Sequence, residues 1–148
     1  MRNSQQEAAR WLSQAENDIA FAEIGLREEF YAQACFLAQQ AAEKALKAVH
    51  YAKGARFVLG HSVLHLIQEL EEQYPDFSQH TDIARELDQY YIPTRYPNGL
   101  PEGAPHEFYS STQASTALAG AKGIIEKARQ IVQQREKRAN GETEKTDA

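Results

Sequence analysis

The chain has 148 residues, 42% of them hydrophobic and 25% charged, which suits a soluble globular protein with one domain and one core. A formal net charge of −5 excludes a protein that coats duplex nucleic acid through many phosphate contacts, though not one or two arginines that hold a phosphate in a pocket. The single cysteine cannot form an internal disulfide, and the first ten residues lack the apolar core of a signal peptide. No apolar run approaches membrane-spanning length, so the expected setting is the cytoplasm.

Ser4 followed by Glu7 has the spacing of a capping box, which predicts the start of a first helix. Leu12, Ala15, Ile19, Ala22 and Leu26 recur at spacings of three and four, with Trp11 beside them, and form its apolar stripe. Glu28 and Glu29 then suggest a tight turn into an antiparallel neighbour. That neighbour, residues 30–53, is apolar or small around most of its circumference and leaves Gln39, Glu43, Lys44 and Lys47 as a narrow polar strip. A helix of this kind must be wrapped by others, and its alanines let them come close. Gly54 can supply the left-handed residue that ends it, and Cys35 reads as a small core residue.

A third helix is expected from about His61 to Tyr74, stopped by Pro75, and a short fourth from Ser78 to Tyr91. The last helix is expected from about Thr112 to Arg138. Gly120 and Gly123 inside it imply close packing against the central helix. No strand pattern competes. The fold expected is all-α, an antiparallel up-and-down bundle of four to five helices with a proline-rich loop before the last one. Residues 1–138 form the domain, and the polar residues 139–148 are expected to be a disordered tail.

Between Ile92 and Ser111, where four of the five prolines fall, the chain is poor in helix formers but rich in aromatics. Tyr90, Tyr91, Tyr96, Phe108 and Tyr109 predict an ordered loop that these rings pin down. Arg95 lies between Pro93 and Pro97 on a stiff segment, and its forked donors match two phosphate oxygens at once. It could equally pair with Asp88 or Glu102, or stack on Tyr91. His106 could act as general acid or base or be a solvated loop residue. Tyr109 could meet a base or phosphate, or anchor the next helix. Lys44, Lys47, Lys53 and Arg56 make a basic run, either a solvated face or an anion site shared with Arg95. His61 and His65 have metal-compatible spacing, yet no third ligand accompanies them and no metal is expected. No GxxxxGK[ST] or GxGxxG phosphate loop and no GxSxG elbow is present.

Three segments together, WLSQAENDIAFAE at 11–23, FYAQACFLAQQAAEKALKAV at 30–49 and YYIPTRYPNGLP at 90–101, resemble the HEPN family of small α-helical domains. GHSVLHLIQEL at 60–70 resembles the Gly-His-Asp-Leu opening of that family's third helix, with Ser62 in place of Asp. The resemblance implies a bundle that dimerises around a cleft. It implies, for catalytic members, a metal-independent ribonuclease without cofactor, often a toxin paired with a small nucleotidyltransferase antitoxin. Arg95 matches the arginine of the family's Arg-(four to six residues)-His signature, whereas His106 lies eleven positions further on. In such a site Arg95 would stabilise charge on the phosphate, His106 would move a proton, and Tyr91 or Tyr96 would stack on a base. Tyr109 would be the tyrosine open to modification by the partner. The alternative is a HEPN dimer without turnover that binds a nucleotide or a nucleotidyltransferase, and a third reading is a scaffold without ligand.

Overall fold

The second helix, α2 (Tyr31–Ala52), is encircled, and the rest of the bundle follows from covering it. The computed structural model describes residues 3–147. Around α2 lie α1 (Ser4–Arg27), α3 (Val63–Leu70), α4 (Thr81–Asp88) and α5 (Ser111–Asp147), with short 3-10 turns at Pro75–His80, Pro97–Gly99 and Pro105–Glu107. No strand occurs among the described residues. α1 and α5 flank α2 and touch each other, while α3, α4 and the Pro75–His80 turn close the remaining side. Ala34, Ala38, Ala41, Ala45 and Ala48 are wholly buried, and their small side chains let three neighbours approach one helix. Cys35 is buried among them, and burial, with the charge of Glu86, pushes its thiol up to about 12.

The cap of α1 lies one residue earlier than the Ser4–Glu7 spacing suggests. Asn3 Oδ1 accepts from Gln6 N at 2.8 Å and Gln6 Oε1 accepts from Asn3 N at 3.3 Å. The hairpin turn to α2 places Glu29 at φ 68, and Phe30 N donates to Gly25 O at 2.7 Å. α2 ends as expected, with Gly54 at φ 105.

α3 is shorter than the 61–74 range, and His61 stands outside it. Ser62 caps the helix by accepting from His65 N at 3.0 Å, and Asp88 takes the N–H groups of Val63 and Leu64 at 2.6 and 3.2 Å. His61 and His65 therefore do not share a helix face, and no group of three metal-ligating side chains occurs among the described residues. The fourth helix begins later than Ser78 because Pro75 first opens a 3-10 turn. Pro97 and Pro105 likewise start 3-10 turns inside the long loop, so part of that loop is helical after all. α5 opens with a reciprocal Ser110–Gln113 cap and continues past Arg138 to Asp147. Ala148, the end of the expected tail, lies outside the described residues.

Gly120 faces α4 rather than the central helix. A Cβ there would run into Ile83 Cγ1 and lie 2.7 Å from Ile83 Cδ1, while Gly123 faces His80. Gly120→Ala gains about 1 kcal/mol of helix propensity but forces α4 outward, an overpacking that costs about 1–3 kcal/mol. The expected result is a lower denaturant midpoint, with the loss reversed when Ile83→Ala is added. Equal costs in the two backgrounds would show that the two residues do not meet.

His50 and His80 are both held below the ordinary histidine range, chiefly by burial. For His50 the Leu66 carbonyl at 3.3 Å partly offsets this, and for His80 the Lys127 ammonium adds to it. A lowered folded-state pKa means that the unfolded chain binds the proton first. Nothing is lost above about pH 6.5, and stability falls as the pH drops below it. Melting curves between pH 7.5 and 5 should therefore show a falling Tm whose slope lessens in His50→Gln and lessens further when His80→Gln is added.

Candidate functional site

The loop that follows α4 is anchored at one end and open at the other. Tyr90 is buried and meets Tyr109 edge-on at 5.8 Å, while Thr94, also buried, donates from its hydroxyl to Tyr90 O at 2.6 Å. These two contacts hold the start of the loop against the bundle. The next residue, Arg95, is therefore thrown outward. Its Nε donates to Tyr91 O at 2.8 Å, which fixes the plane of the guanidinium. The guanidinium carbon lies 4.4 Å from the ring centre of Phe36, 4.9 Å from Tyr91 and 5.3 Å from Tyr96. No carboxylate among the described residues lies within ion-pair distance of it, and Asp88 is occupied at the start of α3. Of the alternatives open to Arg95, stacking is realised, with its remaining N–H edge left to solvent.

His61 lies flat on Tyr91, with ring centres 4.8 Å apart and planes 16° from parallel. Its Nδ1 is 3.2 Å from Glu43 Oε1. Glu43 is 4% exposed and Lys47 5% exposed, with Lys47 Nζ 3.4 Å from Glu43 Oε2 and 5.6 Å from the centre of the Trp11 ring. Gln39, wholly buried, donates to His61 O at 2.8 Å. The polar strip of α2 is thus roofed over by Trp11 and by the segment around His61, and Lys47 does not stand on an open basic face. Lys44 pairs with Asp18 at 2.5 Å, and Asp18 also accepts from Gln14 at 2.9 Å. Lys44 lines a separate concavity of about 660 Å³ beside Trp11 and Arg10 that shares no residue with the Arg95 cluster.

Of the residues marked in the sequence, Arg95, Tyr91 and Tyr96 come together. His106 does not join them through any contact among the described residues: it is exposed, with Glu107 at 4.0 Å. Tyr109 is half-buried against Tyr90, and burial, with Cys35 nearby, raises its hydroxyl pKa. Sequence reasoning did not mark Phe36, and it named Glu43 and His61 only as part of a polar strip and as half of a histidine pair, not as members of this cluster. A carboxylate amid an alanine-rich, almost wholly apolar helix was the signal that could have drawn notice to Glu43.

Among the described residues the fold is a bundle of five α-helices with an arginine-bearing loop before the last one. The HEPN domain profile matches residues 8–131, and the chain belongs to the HEPN family. Its structure is similar to that of TT1696 from Thermus thermophilus, at 40% identity over 87% of this chain and 98% of that one, with a TM-score of 0.78. ST0689, an archaeal HEPN homologue, is 33% identical over 89% and 99% of the two chains, with a TM-score of 0.70. A HEPN domain protein from Thermotoga maritima, tm0613, is 33% identical over 84% and 98%, with a TM-score of 0.67. No curated protein matches the chain. No helix among the described residues is long and apolar enough to cross a membrane.

Proposed function

We propose that this HEPN protein acts in the cytoplasm as a homodimer that cleaves single-stranded RNA without a metal ion, paired with a small nucleotidyltransferase that restrains it as an antitoxin. The observation that carries the reading is the Arg95 guanidinium, open to solvent, without a carboxylate partner among the described residues and mounted on three aromatic rings. Such a group binds a phosphodiester through paired N–H donors, and Tyr96, half-exposed beside it, offers a face on which any base can stack. Charge that develops on the phosphate as a 2′-hydroxyl attacks it would be met by the same donors.

An apolar face supports the dimer. Phe21, Ile24, Phe30 and Leu37 border a concavity of about 480 Å³ whose wall includes Phe36, the residue beneath Arg95. Phe21 is 62% and Phe30 57% exposed in the single chain, more apolar surface than solvent favours. A second copy seated there would border the Arg95 cluster and turn it into a cleft. The nucleotidyltransferase partner rests on the resemblance to toxin members of the family.

The exposed position of His106 favours a second reading, a HEPN dimer that binds a nucleotide or its partner without turnover. Incubating labelled, unstructured RNA with the purified protein separates the two. Cleavage is expected. RNA left whole would favour the second reading, and a nucleotide-induced rise in Tm would then separate it from a scaffold without ligand.

A further inference from the structure

We propose that His61, held by Glu43, is the group that moves the proton when this protein cleaves RNA, an assignment that rests on the ribonuclease reading above. His61 sits between Gly60, at φ 98, and the Ser62 cap of α3, and its carbonyl is held by Gln39. The backbone is therefore fixed on both sides of a side chain that remains 59% exposed. At the ring, the Glu43 carboxylate accepts from Nδ1–H at 3.2 Å. A buried carboxylate on Nδ1 selects the tautomer whose lone pair is on Nε2. Nε2 itself has no partner among the described residues.

Tyr91 joins this pair to the phosphate-binding group. His61 stacks on it at 4.8 Å, and the Arg95 guanidinium lies 4.9 Å from the centre of the same ring. One rigid aromatic side chain thus contacts both the base and the phosphate ligand, the two groups a transesterification needs to act on one phosphodiester. His106 has no such link.

In the step, His61 Nε2 takes the proton of a ribose 2′-hydroxyl. The 2′-oxygen forms a bond to the adjacent phosphorus, and the bond from phosphorus to the 5′-oxygen breaks. The 5′-oxygen takes a proton from water, and the hydroxide left behind takes the proton from His61. The products are a 2′,3′-cyclic phosphate and a 5′-hydroxyl, and the enzyme is unchanged. Glu43 touches no substrate and is a positioning residue.

The test compares cleavage of labelled single-stranded RNA by wild type, His61→Ala, His61→Gln and His106→Ala. His61→Ala is expected to lose about 10²–10⁴-fold in kcat while it still binds RNA, and added imidazole should restore part of the rate. His61→Gln keeps a donor toward Glu43 but no base, and should lose as much. Glu43→Gln should lower kcat at unchanged KM, with part of the loss regained in Glu43→Asp. Wild type and His61→Ala cleaving equally fast would overturn the assignment and leave the ribonuclease reading standing. So would loss in His106→Ala without loss in His61→Ala, or a His61→Ala defect that imidazole does not relieve or that includes RNA binding. RNA left whole by wild type would remove the ribonuclease reading and the assignment together.

Discussion

Replacing Glu43 with alanine should lower the unfolding free energy by about 3–5 kcal/mol, the usual cost of removing one partner from a buried ion pair. The reason lies in what stays behind. Lys47, with its side chain 7% exposed, would lose its only carboxylate among the described residues and keep little more than the face of Trp11. Gln39 would lose an acceptor at 3.5 Å and His61 its anchor. The pair itself need not stabilise the fold, because desolvating two charges offsets most of their attraction. Glu43→Leu combined with Lys47→Met should therefore come closer to wild type than Glu43→Ala does. Urea titrations read both, as a midpoint shift at constant slope. A Glu43→Ala protein within about 1 kcal/mol of wild type would mean that Lys47 reaches water and that α2 is less enclosed than described.

Arg95→Ala should reduce RNA cleavage by about 10²–10³-fold, the range seen when one donor to a developing oxyanion is removed. Stability should change by less than about 1 kcal/mol, since only exposed contacts are lost, those of the guanidinium with aromatic rings and its hydrogen bond to Tyr91 O. Arg95→Lys is expected to behave like the alanine variant. A lysine keeps the charge but presents no fork, cannot lie flat on Phe36 and Tyr91, and gains nothing from the Tyr91 carbonyl that fixes the arginine plane. Cleavage rates and Tm measured on the same preparations separate this from an unfolding effect. An Arg95→Ala protein with wild-type cleavage would move the phosphate site elsewhere.

Much of the fold could be read from local pattern. The alanine run of α2 and the stripe of α1 each depend on residues close in sequence. The aromatics that mark the 92–111 stretch as ordered do pin it, through Tyr90 and Tyr109. What escaped was decided by distant partners. Glu43 and Lys47 are four apart on a helix, as a solvated pair would be, and only Trp11 and His61 bury them. His61 leaves the third helix because Ser62 caps it, held by Asp88 from 26 positions away. Gly120 answers to Ile83 on α4, a packing that periodicity within α5 cannot show. The arginine of the site was legible because prolines fence it. The histidine was not, because what links it to Arg95 is a shared tyrosine and not a spacing.

The end groups of RNA incubated with the wild-type protein in EDTA test the central claim most directly. Metal-independent attack by the 2′-hydroxyl predicts fragments that carry 2′,3′-cyclic phosphate and 5′-hydroxyl ends. RNA that stays whole, or fragments with 3′-hydroxyl and 5′-phosphate ends, would contradict the account.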